Sequence, residues 1–292
     1  MLRENVSPKS GTLWIVATPI GTLEDFAPRA REVLEHVALI LAEDTRRARI
    51  LLNHIGTVPG RRLRSFHEHN EADRLPLALA VLREGRSVAL MSDAGTPVLS
   101  DPGFILVREA RREGLGVATI PGPSSFTAAL AASGQPPLPA TLVGFLPGRG
   151  GARRGRIAEL AAVPWTLVVL LSPHRLAVEL RDLANGLGVE RSATLLAELS
   201  KLHERALVGS LGELAACEET KNPRGEYVVV VGPGLPAAAT EPVDRRSIRA
   251  AYADALNAGL VRKEALKAVA RELGVGRRTV FDSLIEDEKV DI

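Results

Sequence analysis

The sequence predicts an α/β protein made of two α/β domains followed by a small helical module. Three observations carry this reading. Short apolar runs alternate with amphipathic stretches through the first half, the pattern of βαβ units and a mostly parallel sheet. In the second half the apolar runs are more closely spaced, so antiparallel pairs are expected there. Two segments, 148–156 and 233–242, read as linkers and set the expected divisions at 1–147, 148–240 and 241–292.

The elements follow in order. Residues 13–17, 38–42, 63–66, 88–91 and 117–120 are apolar runs too short for helices and read as strands. Between and after them, 26–36, 46–55, 75–83, 106–112 and 126–132 carry helical periodicity. Asp44, with Glu43 beside it, is placed to cap the helix that begins near Thr45. The first half is expected to close near residues 144–147. Beyond it, 157–162 and 177–187 read as helices and 167–171, 195–199, 206–211 and 227–231 as strands, with a short helix at 214–217. The chain ends in helices. Leu266, Val269, Ala270 and Leu273 share one face, Gly274-Val275-Gly276 follows, and Val280, Leu284 and Ile285 face inward from the next helix. That spacing fits a helix-turn-helix, and a plain helical hairpin equally well.

Composition narrows the function classes. A hydrophobic content of 46% with 25% charged residues is that of an ordinary globular protein. Residues 1–11 are polar and lack the apolar core of a signal peptide, and the longest apolar runs fall far short of the ~20 residues that span a bilayer. A single cysteine, Cys217, excludes an internal disulfide and a cysteine-based zinc site. A cytoplasmic protein without a membrane span or structural metal is expected. The net charge is only +2, but it is unevenly spread. Residues 148–156 hold four arginines and no acid, and residues 245–285 hold nine Arg or Lys against four Asp or Glu. Such patches suit phosphate backbones or simply solvated surfaces.

The most informative stretch is Ser92-Asp93-Ala94-Gly95-Thr96-Pro97-Val98-Leu99-Ser100-Asp101-Pro102-Gly103. It follows a strand and precedes a helix, where open α/β sheets bind ligands. It is also three times longer than a tight turn. Its Pro, Gly and Asp content makes a stiff loop with free main-chain donors and acceptors. A second such loop, Pro121-Gly122-Pro123-Ser124-Ser125, follows the next strand. By contrast, Ala17-Thr18-Pro19-Ile20-Gly21-Thr22 lacks the glycines that let a dinucleotide approach a helix N-terminus, which disfavours an NAD enzyme.

Those loops, with Ala42-Glu43-Asp44-Thr45-Arg46, Phe66-His67-Glu68-His69-Asn70 and Ser172-Pro173-His174-Arg175, occur in an order that resembles a known family. It is the 16S rRNA cytidine 2′-O-methyltransferases of the tetrapyrrole-methylase-like (class III) group, and the resemblance spans about residues 13–284. It implies a homodimer that binds S-adenosylmethionine in a cleft between the two domains and methylates a cytidine ribose at the decoding region of the 30S subunit. Pro19, Ile20 and Gly21 would line the cofactor floor. Asp93, Gly95, Thr96 and Pro97 would hold its amino-acid or ribose part, and Ser124 and Ser125 would cap it. Leu171, Leu199 and Glu226 would surround the adenine. Three positions depart from the family pattern. Thr22 stands where Asn is usual, Leu171 where an acid is usual, and Ala197 where Arg is usual.

Methyl transfer to a hydroxyl needs alignment and a base. The residues open to that role are Glu43, Asp44, His67, Glu68 and Glu198. Asp44 could equally be a cap, and His67 with His69 lacks a third metal ligand. Arg149, Arg153, Arg154, Arg156, Arg175 and Lys201 are the candidates for rRNA phosphate, and the terminal helices for a further rRNA contact. Two other readings remain open. One is a methyltransferase of the same fold acting on a tetrapyrrole or a modified protein side chain. The other is a regulator joining a ligand-sensing α/β domain to a helix-turn-helix.

Overall fold

A computed structural model describes residues 11–234, 245–273, 280–281 and 283–284. Residues Met1–Gly234 form one compact unit and Leu235–Ile292 another. The first unit contains two five-stranded sheets.

The first sheet is built from β1 (Thr12–Val16), β2 (Leu39–Ala42), β3 (Leu63–Ser65), β4 (Val88–Met91) and β5 (Gly116–Ile120), in the order β3-β2-β4-β1-β5. Every pairing is parallel, with Leu13 opposite Val88 on one side and Val117 on the other. The helices are α1 (Pro28–His36), α2 (Thr45–His54), α3 (Glu71–Arg83), α4 (Phe104–Arg112) and α5 (Ser125–Ser133). Strand β4 shows why the sheet is apolar on both faces. Val88 and Leu90 enter a core with Leu41, Leu82 and Leu106, whereas Ala89 and Met91 enter another with Leu34, Ile40 and Leu52. Because all five strands run the same way, the loops after β1, β2, β4 and β5 emerge along one edge. There the strand order also switches direction about β1 and β4.

The second sheet has the order β6-β7-β10-β8-β9, with strands β6 (Ala140–Phe145), β7 (Thr166–Leu171), β8 (Ser192–Ala197), β9 (Arg205–Ser210) and β10 (Tyr227–Val231). Only β6 and β7 are parallel. Helices α6 (Gly150–Ala161), α7 (Leu176–Leu187) and α8 (Leu211–Ala216) accompany it. Leu160, Leu180 and Leu211 pack on one face with Val229 and Val231. Ala129 of α5, with Phe126 and Ile20, packs against Val168, Leu196 and Val228 on the other.

Two sequence expectations need correction. The first half was expected to close near residues 144–147, yet β6 belongs to the second sheet, beside β7. Its register slips between Leu142 and Gly144, and Gly144 has φ 75°, which breaks the strand periodicity. The expected linker at 148–156 is largely the start of α6. Its inward face is Arg153, Ile157 and Leu160, the spacing of a helix despite three glycines. Arg153 is therefore buried and leaves the set of rRNA candidates. Its Nε lies 2.7 Å from Asp182 Oδ2 on α7, and its Nη1 donates to the Gly148 carbonyl at 3.1 Å.

In the second unit, α9 (Arg245–Asn257) and α10 (Arg262–Glu272) share a small core of Ile248, Val269, Ala270 and Val280, with Leu266, Leu273 and Leu284 against it. The Gly274-Val275-Gly276 turn, Ile285 and most of the 233–242 linker lie outside the described residues. No described helix is long and apolar enough to cross a membrane.

The buried pair generates a direct test. Arg153→Ala strands Asp182 and is expected to cost roughly 3–5 kcal/mol in chemical denaturation. The same change at the exposed Arg149, Arg154 or Arg156 is expected to stay within about 0.5–1 kcal/mol.

Candidate active site

A cavity of about 260 Å³ lies between the loop edge of the first sheet and the second sheet. Loop 92–103 supplies one wall. Ser92 Oγ donates to the Gly95 carbonyl at 2.9 Å, and Gly95 exchanges backbone hydrogen bonds of 3.0 and 2.8 Å with Thr18. Thr96 Oγ1 donates to the Pro123 carbonyl at 3.3 Å. The three loops expected to bind ligand are thus joined to one another. Val98 and Ser100 take left-handed backbone conformations, φ 77° and 70°. For non-glycine residues this costs roughly 1–3 kcal/mol each, a strain that tends to collect at functional sites.

Asp93 lines the cavity and also holds the scaffold. Its Oδ1 accepts the Asp44 backbone N–H at 3.0 Å, and Arg47 lies 3.5 Å from Oδ2. Ser124 and Ser125 line the cavity at the start of α5, where the first-turn N–H groups have no partner within the helix. The Ser124 hydroxyl makes no capping bond. Opposite this polar side, Leu142, Leu170, Leu171, Tyr227 and Val228 of the second sheet form an apolar wall, with Glu226 at its end.

The two sides are clasped outside the cavity. Thr22 Oγ1 donates to the Ser200 carbonyl, and Ser200 Oγ donates to Asp25 at 2.6 Å. Thr22 thus ties the first loop to the second sheet's loop. Gly21 presses so closely on Ser200 that a Cβ would sit 2.7 Å from its backbone. Lys201 bridges Glu198 at 3.0 Å and Glu226 at 3.1 Å. Glu198 and Ser200 are again left-handed, φ 56° and 62°.

Eight of the expected cofactor residues line the cavity: Ile20, Asp93, Gly95, Thr96, Ser124, Ser125, Leu171 and Glu226. Pro19 and Pro97 are buried without lining it, and Leu199 packs with Ile20. The sequence reading missed Asp101 and the strand residues Leu142, Leu170, Tyr227 and Val228. The latter look like any core hydrophobic residue in sequence.

None of Glu43, Asp44, His67 and Glu68 is on the cavity wall. Asp44 caps α2 through the Arg46 N–H at 2.8 Å, and Arg46 holds its carboxyl well below the usual carboxylate range. Glu43 is raised, first by burial and then by Asp93 and Glu68. His67 Nε2 meets the Asn70 amide at 3.1 Å, while its Nδ1 is buried without a partner. Among the described residues no cluster could hold a metal. Burial raises Glu198, but the Glu226 N–H and Lys201 outweigh it and keep it ionised. Asp101, on the wall, is pushed up to about 7 by burial, then by Glu43 and Asp93. Of the phosphate candidates, Arg149, Arg154 and Arg156 are exposed, whereas Arg175 is tied to the buried Glu179 at 2.8 Å.

Comparison with known proteins places this arrangement. The tetrapyrrole (corrin/porphyrin) methylase family matches residues 12–215. A ribosomal RNA small subunit methyltransferase I from Mesorhizobium japonicum is 44% identical, covering 96% of this chain and 93% of its own. One from Xylella fastidiosa is 42% identical, covering 93% and 98%. In fold alone, the chain is similar to a uroporphyrin-III C-methyltransferase from Thermus thermophilus complexed with S-adenosyl homocysteine. That match has a TM-score of 0.53 at 22% identity, over 76% of this chain and 97% of that one. The chain belongs to the tetrapyrrole methylase family, in the group formed by the ribosomal RNA small subunit methyltransferase I proteins.

Proposed function

We propose that this protein transfers a methyl group from S-adenosylmethionine to the 2′-hydroxyl of a cytidine in 16S rRNA. It would do so on the 30S subunit at the decoding region, as a cytoplasmic homodimer. The observation that carries the reading is the two-sided cavity, polar along loop 92–103 and the start of α5, apolar along β6, β7 and β10. A zwitterionic amino acid joined to an adenosine suits such a site. The α5 start fits a carboxylate, Asp93 a hydroxyl or ammonium group, and the apolar wall the adenine. S-adenosylmethionine supplies a methyl carbon already activated by a positive sulfur. The protein's share is then to fix the cofactor, exclude water with the second sheet, and align the hydroxyl. Lys201 and Arg175 are engaged by Glu198, Glu226 and Glu179, so their part is to hold the cleft frame. The exposed Arg149, Arg154 and Arg156 on and beside α6, and the basic residues of 241–292, are the surfaces proposed to meet RNA phosphate.

Three measurements test the reading. Incubation with radiolabelled S-adenosylmethionine and 30S subunits lacking the modification is expected to label 16S rRNA, and nuclease digestion to yield 2′-O-methylcytidine. Label on a base, or only on a small tetrapyrrole, overturns the substrate. Asp93→Asn keeps an acceptor for the Asp44 N–H but loses the charge. It is expected to weaken S-adenosylmethionine binding about 10- to 150-fold in calorimetry, with the melting temperature little changed. Replacing Arg149, Arg154 and Arg156 with Gln is expected to flatten the log–log salt dependence of subunit binding by roughly 0.7–0.9 per lost phosphate contact.

A further inference from the structure

We infer that a second, wholly polar cavity behind the Gly225–Tyr227 segment is an RNA subsite, where Arg224 receives a phosphodiester of the strand that carries the target ribose. The inference deepens the rRNA methyltransferase reading above and rests on it.

This space lies outside the cofactor cavity but shares chain with it. It measures about 460 Å³ and is lined by Glu198, His203, Arg205, Glu219, Asn222 and Arg224 around Gly225. The next two residues, Glu226 and Tyr227, stand on the wall of the cofactor cavity. Consecutive Cα atoms are about 3.8 Å apart, so a single run of chain divides the two spaces. The divider is closely fitted. Gly225 has φ 87°, and a Cβ there would lie 2.2 Å from Glu198 Oε1. Glu198 is itself left-handed, φ 56°. Tyr227 is buried and belongs to both sides. Its hydroxyl accepts the Arg224 backbone N–H at 2.9 Å and donates to Glu219 at 2.6 Å.

The lining selects the ligand. Sites for small molecules and cofactors are mostly apolar, with a few polar groups that orient what they bind. No aliphatic or aromatic side chain lines this cavity, so it offers nothing to bury a base against and suits a charged backbone. Both of its acids are engaged. Glu198 takes Lys201 at 3.0 Å and the Glu226 N–H at 2.7 Å. Glu219 takes the Tyr227 hydroxyl and Arg205, and that hydroxyl holds it below the usual carboxylate range. Arg205 also donates to the His203 carbonyl at 3.1 Å. Among the described residues, the Arg224 guanidinium, the His203 ring and the Asn222 amide have no partner, and all three are exposed. Lys201 balances Glu198 and Arg205 balances Glu219, with Glu226 on the cofactor side, so the charge left over in this cavity is that of Arg224. A guanidinium presents a planar fork that fits two phosphate oxygens, and the imidazole and amide supply further donors beside it. A ribose held in the cofactor cavity brings a phosphodiester on each side of it. The adjoining cavity is placed to take one of them.

The test measures binding of the full-length protein to unmodified 30S subunits as a function of salt, alongside steady-state methyl transfer. Arg224→Gln is expected to weaken subunit binding roughly 10-fold and to flatten the log–log salt slope by roughly 0.7–0.9, the mark of one phosphate contact. Asn222→Ala removes a donor but no charge, and is expected to weaken binding about 2- to 10-fold at an unchanged slope. Arg224→Lys is expected to keep the slope and recover part of the affinity. In the turnover assay Arg224→Gln is expected to raise KM for the subunit while kcat stays within about twofold, as for a contact made equally before and during the reaction. Its S-adenosylmethionine affinity in calorimetry and its melting temperature are expected to match wild type, since the contact Arg224 makes to the fold is through its main chain. A wild-type affinity and salt slope in Arg224→Gln overturn the subsite. Weak subunit binding that comes with lost cofactor affinity or a lowered melting temperature overturns it too, because Arg224 is then structural. The binding measurement needs no turnover. If wild type binds 30S subunits without methylating them, the function reading fails and the salt slope still decides the subsite. If wild type does not bind them, both fail.

Discussion

Thr18 and Gly95 exchange both backbone hydrogen bonds just beyond the ends of β1 and β4, and Ser92 ties its hydroxyl to the same Gly95 carbonyl. This short bridge turns two separate strand-end loops into one rigid floor. Without it, loop 92–103 would have to be held by its own turns, with Val98 and Ser100 in conformations their side chains disfavour. The parallel sheet makes the bridge geometrically available, because β1 and β4 are neighbours in register and end at the same level. Asp93 then fastens the floor to α2 through the Asp44 N–H, and Thr96 fastens it to the loop before α5. The polar half of the cavity follows from that chain of main-chain contacts.

The apolar half has a different origin. Strands β7 and β10 sit at the middle of the second sheet, where both faces must be apolar to be buried. The cavity uses the ends of that pattern, Leu170, Leu171, Tyr227 and Val228, so the core and the cavity wall are continuous. What brings this wall opposite the floor is the close approach of Gly21 to Ser200 and the Thr22 and Asp25 bonds to the Ser200 residue. Gly21 is a packing requirement there, not a phosphate-binding glycine. Burial supplies the affinity of the two sheets for each other through Ile20, Phe126 and Ala129, and the clasp fixes their spacing.

Much of this was legible in the sequence because the signals were local. Strands β1, β2 and β4 are uninterrupted apolar runs, and the Pro- and Gly-rich loops after β4 and β5 announce themselves. What escaped depends on contacts distant in sequence. Strand β6 hides behind the bulge at Gly144, and the first half of α6 behind Gly150, Gly151 and Gly155. Arg153 looked like one charge in a basic run until Asp182, on another helix, made it a core residue. Tyr227 and Val228 carry no sign that they line a cavity, since strand hydrophobics are the commonest residues of any sheet. Asp101 is hidden for the opposite reason. Its distinguishing property is the lack of a donor or cation among the described residues, which no pattern of neighbouring residues can express.

Carboxylates gather on this edge for a reason that the fold itself supplies. Loops after parallel strands lead into helix N-termini, where an acid is favoured as a cap, and Asp44 at α2 is such a case. Burial raises Glu43 and Asp101 first, and neighbouring carboxylates add to it, Asp93 and Glu68 for Glu43, Glu43 and Asp93 for Asp101. Asp44 is paired with Arg46 and Asp93 with Arg47, whereas among the described residues Glu43 and Asp101 have no ion pair or hydrogen-bond donor. Of those two, only Asp101 reaches the cavity wall. A scaffold that spends its arginines on holding loops in place thus leaves one half-buried carboxyl on the cavity wall with no cation paired to it among the described residues. Its proton affinity comes first from burial in the wall and then from the carboxylates of Glu43 and Asp93 beside it.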